Sequence, residues 1–137
     1  MVTKEQLIAF FADDFPQVDL VIESLGNKSA TLRKKIDHNH LRPGGTVAGP
    51  VLMEIADAAL YAAILGEIGL VPLAVTTNLN INFLRKPAPD KDVLAVCSLI
   101  KVGRTLAIGE VSIYSEGMSE PVAHAVGTYS IPPDRTG

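Results

Sequence analysis

Pro50-Val51-Leu52-Met53-Glu54-Ile55-Ala56-Asp57-Ala58-Ala59-Leu60-Tyr61-Ala62-Ala63-Ile64-Leu65-Gly66-Glu67-Ile68-Gly69 is the stretch that decides the fold. Proline suits a first helical turn, where its fixed φ and missing N–H do no harm. Gly69 ends the pattern and Pro72 follows just beyond it. The spacing predicts a helix over 50–68, about 28 Å long at about 1.5 Å per residue. It is apolar almost all round, so its own protein must enclose it. Glu54, Asp57 and Glu67 interrupt the apolar run. Those carboxylates would be costly in a bilayer, and the segment reads as a buried helix of a soluble protein.

The chain beyond it reads as strands. Val75, Thr77, Leu79, Ile81 and Phe83 alternate with Thr76, Asn78, Asn80 and Asn82, a period of two with one drier face. This places Thr76 on the polar face. Further strands are expected over Asp92–Val102, Thr105–Tyr114 and Pro121–Ile131, with turns at Gly103-Arg104 and Glu116-Gly117. Upstream, Thr3 and Gln6 form a capping-box pattern ahead of an amphipathic helix carrying Leu7, Ile8, Phe10, Phe11 and Phe15. Extended segments are expected over Val18–Leu25 and Ser29–Asp37, separated by Gly26-Asn27. The result is an α+β chain, an antiparallel sheet curled around one long central helix with an extra N-terminal helix. We expect a single domain over residues 1–137, with the first helix in 1–16 and a flexible tail over 132–137.

Length and composition agree with that picture. A chain of 137 residues fits one domain and needs no metal or disulfide staple. Apolar residues make up 47% and mean hydropathy is +0.27, a surplus for which a subunit interface is the simplest outlet. A sheet wrapped on one helix also leaves an edge and a face uncovered. A homodimer is expected, paired again into a homotetramer through the face bearing Asn78, Asn80 and Asn82. The net charge of -3 argues against nucleic acid as partner. No signal peptide is evident, and a cytoplasmic, membrane-free protein is expected.

Asp57 is the leading chemical candidate, because a carboxylate among alanines and leucines is expensive unless paired or used. Glu54 and Tyr61 share its helix face and form a narrow polar stripe. A structural carboxylate satisfied by hydrogen bonds is the competing reading. Gly49, in a glycine-bearing turn before the helix, can aim its N–H at a developing oxyanion. Cys97 lies in an apolar run and reads as a buried, inert thiol. His38 and His40 alternate as on a strand, but no further cluster accompanies them, so no metal is expected. Serine-elbow, phosphate-loop and dinucleotide motifs are absent from the sequence.

Taken together, Gly45-Thr46-Val47-Ala48-Gly49-Pro50, Asp57, the strand Thr77 to Pro87, Lys101-Val102-Gly103-Arg104 with Glu110-Val111, and Ala123–Tyr129 resemble the hotdog acyl-CoA thioesterases of the phenylacetate-degradation type. The likeness runs from about Ala30 to Ile131. It implies a hotdog fold and hydrolysis of an acyl-CoA at a site shared between subunits. Asp57 matches the family's catalytic carboxylate, Gly49 its oxyanion glycine, and Thr76 a hydroxyl that positions water. Arg85, Lys86 and Arg104 become candidates for the CoA phosphates. Val51, Met53, Glu54, Tyr61 and Thr77 become candidates for the walls around the acyl group.

Two positions depart from the family pattern: Ala48 stands where it has a histidine, and Arg42 where it has an asparagine. Arg42 is weighed as a group that polarises the carbonyl, pairs with Asp57 or contacts a phosphate. No cofactor is expected beyond the coenzyme A of the substrate. The alternatives are a non-catalytic acyl-CoA-binding or regulatory hotdog module and, in the same fold, an enoyl-CoA hydratase.

Overall fold

The computed structural model describes residues 2–133, so most of the tail expected over 132–137 lies outside the described residues. Thr3 caps α1 (Lys4–Asp14) reciprocally: the Gln6 N–H donates to the Thr3 hydroxyl at 3.1 Å, and the Thr3 N–H to the Gln6 amide oxygen at 2.9 Å. Leu7, Phe10 and Phe11 turn inward, whereas Ile8 stays exposed. β1 (Val21–Gly26) and β2 (Ser29–Lys34) form a hairpin. Both are shorter than the alternation suggests. Asp37 ends the second segment by accepting from the Asn39 N–H at 2.8 Å, which starts a 3-10 turn over His38–His40.

The loop then makes a minute hairpin of β3 (Leu41–Arg42) and β4 (Thr46–Val47), with Gly44 and Gly45 at φ of 100° and 78°. Only glycine takes such angles without strain. The long helix α2 spans Gly49–Ile68 and is followed by β5 (Val75–Phe83), β6 (Val93–Val102), β7 (Leu106–Ser115) and β8 (Ala123–Ser130). The main sheet is antiparallel with six strands in the order β1-β2-β6-β7-β8-β5. α2 lies against it, and every residue from Ala58 through Gly66 is buried. This is the expected central helix in a curled sheet.

A pair of glycines sets how closely helix and sheet approach. Gly109 of β7 and Gly127 of β8 face each other in register, and the Leu60 side chain fills the notch they leave. A Cβ on Gly109 would stand 2.8 Å from Leu60 Cδ2, and one on Gly127 would overlap Leu60 Cδ1. Leu60 is fully buried and pinned from both sides, so it cannot swing clear.

The two sheet edges differ. β1 carries a bulge between Ile22 and Ser24, and its Glu23 pairs with Arg33, whose guanidinium also meets Asp92 and Glu116, each at 2.8 Å. Bulges and charges blunt an edge. β5 is nine residues long, exposed along most of its length, and pairs with no strand on its outer side among the described residues.

Gly127→Ala should lower stability by about 1–3 kcal/mol through overpacking. Leu60→Ala should cost less in the Gly127→Ala background than in the natural chain, a coupling visible in a denaturant double-mutant cycle. Strictly additive losses would show that the notch does not set the helix height.

Candidate active site

Asp57 leaves the middle of α2 toward β5 and β8. The Thr76 hydroxyl donates to Asp57 Oδ1 at 2.5 Å. The Tyr129 hydroxyl lies 2.8 Å from the same oxygen and 3.1 Å from the Asp57 main-chain carbonyl. Among the described residues nothing donates to Oδ2. Two hydroxyls offset much of the cost of half-burying this carboxylate. Tyr129 is buried, and burial first, with the Asp57 charge second, holds its hydroxyl well above the usual tyrosine range. It therefore stays protonated, a donor at any physiological pH.

Thr76 reaches Asp57 because the strand breaks its alternation. Thr76 pairs with Tyr129 and Asn78 with Thr128, so Thr77 is an extra residue in a bulge. The simple period of two put Thr76 on the polar face and Thr77 on the drier one. The inserted residue shifts the register and turns Thr76 to the helix side. The Thr77 hydroxyl donates to the Thr128 carbonyl at 3.3 Å and is tied to the sheet rather than to the site.

A cleft of about 320 Å³ opens beside Asp57 and Thr76, walled by Phe10, Phe15, Tyr61 and Tyr129. The Tyr61 hydroxyl donates to the Pro72 carbonyl at 3.0 Å, and burial, with Asp14 as a smaller cause, raises its pKa. Sequence reasoning missed Tyr129, Phe10 and Phe15 as parts of the site. The inward positions of β8 are Ala123, Ala125, Gly127 and Tyr129, so Tyr129 is the one inward polar group of that strand. That pattern was a usable signal. The place of α1 over the cleft had none.

Other expected residues lie elsewhere. Gly49 opens α2 with the Phe83 ring against it, and a Cβ there would sit 3.2 Å from Phe83 Cζ. Its N–H donates to no described residue. Eight residues at about 1.5 Å each put it about 12 Å along the helix from Asp57. Val51 and Met53 do not line the cleft. Glu54 faces Lys34 of β2, with Nζ 3.8 Å from its carboxylate, so the expected polar stripe divides between two sides of the helix. Arg42 is exposed in β3 and forms no ion pair with Asp57 within the chain. Arg85 is held by the Pro121 carbonyl at 2.7 Å and the Glu120 carboxylate at 2.9 Å. Lys86 and Arg104 are exposed.

Burial, with Glu110 as a lesser cause, pushes the Cys97 thiol up to about 12, which leaves it a poor nucleophile at neutral pH. The His124 Nε2 lies 3.0 Å from the Glu110 carboxylate. No group of three or more His, Cys, Asp or Glu suited to a metal occurs among the described residues. Among them, too, no helix is long and apolar enough to cross a membrane.

Residues 44–122 match the family model of the thioesterase superfamily. Among solved structures, a candidate thioesterase of Silicibacter sp. TM1040 is 44% identical, with a TM-score of 0.90 over 97% of this chain and 94% of the other. Zebrafish thioesterase superfamily member 2 matches at 23% identity and TM-score 0.84, covering 96% of this chain and all of its own. A hypothetical thioesterase of Streptococcus pneumoniae, solved with coenzyme A, matches at 21% and 0.79 over 95% and 99%. The last two likenesses concern the fold alone. No curated protein matches the sequence. With its central helix against an antiparallel sheet this is a hotdog fold, and the chain belongs to the thioesterase superfamily, by that membership a thioester hydrolase.

Proposed function

We propose that the chain hydrolyses an acyl-CoA thioester to the free acid and coenzyme A at a site shared between two subunits. One observation carries this reading: a carboxylate in mid-helix, held among the described residues through one oxygen, stands beside an aromatic-walled cleft. The second oxygen is not a buried orphan but lies open, where water or a substrate can meet it. Asp57 attacks the thioester carbonyl, or takes a proton from the water that does. The tetrahedral intermediate collapses and the sulfur leaves as thiolate. On the water route Asp57 returns its proton to the thiolate; on the covalent route water hydrolyses the acyl–Asp57 anhydride and supplies that proton. Each route ends in free acid, CoA and the regenerated carboxylate. The acyl group occupies the cleft, and the exposed Lys86 suits the CoA phosphates. No cofactor enters these steps.

The oxyanion donor is the partner's Gly49. A carbonyl must lie about 3 Å from its donor and about 3–3.5 Å from its nucleophile, so groups about 12 Å apart on one helix cannot share it. Symmetry resolves this. Gly49 touches Phe83 at the end of β5, while Asp57 holds Thr76 near its start. Antiparallel pairing of two open β5 edges about a two-fold near Leu79 brings the start of one strand to the end of the other. Asp57 then approaches the partner's Gly49, and the open edge is closed. A second pairing through the face bearing Asn78, Asn80 and Asn82 gives a tetramer.

Release of CoA from a panel of acyl-CoAs tests the activity. Asp57→Asn should keep the fold and lose about 10²–10⁴-fold in turnover. Comparable turnover would return Asp57 to a structural role. Tight binding of a non-hydrolysable analogue without CoA release by the natural chain would make this a binding module instead.

Mixed oligomers test the shared site. Asp57→Asn and Gly49→Pro chains, each inactive alone, should recover activity when unfolded and refolded together. Random pairing makes half the dimers mixed with one intact site of two, so about a quarter of the natural rate should return. A site within one chain would give no recovery.

A further inference from the structure

We propose that Tyr129 is a positioning residue for Asp57: its hydroxyl, with that of Thr76, fixes Oδ1 and leaves Oδ2 as the oxygen that meets substrate or water. The inference rests on the proposed hydrolysis and names the reacting atom within it.

Thr76 and Tyr129 are cross-strand partners on β5 and β8, and their hydroxyls converge on one carboxylate oxygen at 2.5 Å and 2.8 Å. The Tyr129 hydroxyl carries one proton and has two acceptors within reach. One is the Asp57 main-chain carbonyl at 3.1 Å, which already accepts within the helix. The other is the charged carboxylate, the stronger acceptor, so the proton belongs there. Burial and the neighbouring charge keep Tyr129 from ionising, which preserves its role as donor.

A carboxylate pinned by one oxygen cannot exchange its two oxygens by rotation. Orientation of that kind is worth rate rather than affinity, because it holds the reacting atom in line without touching the substrate. The bulge at Thr77 serves the same end, for without it Thr76 would face away from Tyr129. Tyr129 is itself held by stacking on Tyr61, with ring centroids 6.0 Å apart and planes 24° from parallel. Phenylalanine can keep that packing.

Tyr129→Phe should fold normally and lose about tenfold in kcat, with KM within about twofold of the natural value. Thr76→Val should behave alike, while Thr76→Ser, which keeps the donor, should retain most of the rate. The proton spectrum should show a slowly exchanging downfield hydroxyl resonance that vanishes in both Tyr129→Phe and Asp57→Ala. If Asp57→Asn is inactive but Tyr129→Phe keeps its kcat, hydrolysis stands and the positioning role falls. If the natural chain releases no CoA, the hydroxyl resonance alone decides. Its absence, or its survival in Asp57→Ala, overturns the proposal.

Discussion

The seat of Leu60 between Gly109 and Gly127 governs the rest of the molecule. Burying one leucine contributes about 1.5–3 kcal/mol, but its larger effect here is geometric. Two facing glycines remove the side chains that would hold helix and sheet apart, and α2 settles deep in the curve. Leu60 lies three residues past Asp57, and Gly127 two residues before Tyr129. The contact that sets the helix height therefore also sets the reach of the Asp57 carboxylate to the two hydroxyls. Stability and site geometry share one joint.

That joint explains how so apolar a helix tolerates a charge. Half-burying a carboxylate would cost several kcal/mol without compensation. Two hydroxyls on neighbouring strands supply most of it through a single oxygen. They come from side chains already fixed, Tyr129 by stacking on Tyr61 and Thr76 by the bulge. Little further ordering is needed to hold the carboxylate, so its direction is set by the sheet. The cleft beside it needs α1, because Phe10 and Phe15 close what the sheet leaves open.

Much of this was legible in the sequence. The helix over 50–68 announced itself by lacking a polar face, and the strand Val75–Phe83 by its period of two, since both patterns follow from local geometry. Asp57 stood out for the same reason, as a charge where none is cheap. What stayed hidden depended on register and on distant contacts. A one-residue bulge leaves no mark in Thr76-Thr77-Asn78, yet it decides which threonine meets Asp57. Glu54 looked like a companion of Asp57 until Lys34, on a strand at the other side of the sheet, drew it away. Arg85 looked available for a phosphate but is held by Glu120.

The helix N-terminus adds the last constraint. Ala48 is the N-cap and offers no side-chain acceptor, where serine, threonine, aspartate or asparagine would add about 0.5–2 kcal/mol. Pro50 has no N–H and the Val51 N–H donates to the Ala48 carbonyl at 3.1 Å, so it is the Gly49 N–H that has no acceptor among the described residues. The same chain leaves β5 unpaired at the edge next to Asp57. Each deficiency alone would be a modest instability. Gly49 lies at the Phe83 end of β5 and Asp57 at its Thr76 end. The proposed two-fold pairing of β5 edges would therefore close the edge and bring each helix N-terminus toward the other chain's carboxylate. In the proposed dimer one helix then serves two sites, its N-terminus completing one and its mid-point carboxylate the other. Single copies would hold every group the reaction needs and still be unable to bring them together.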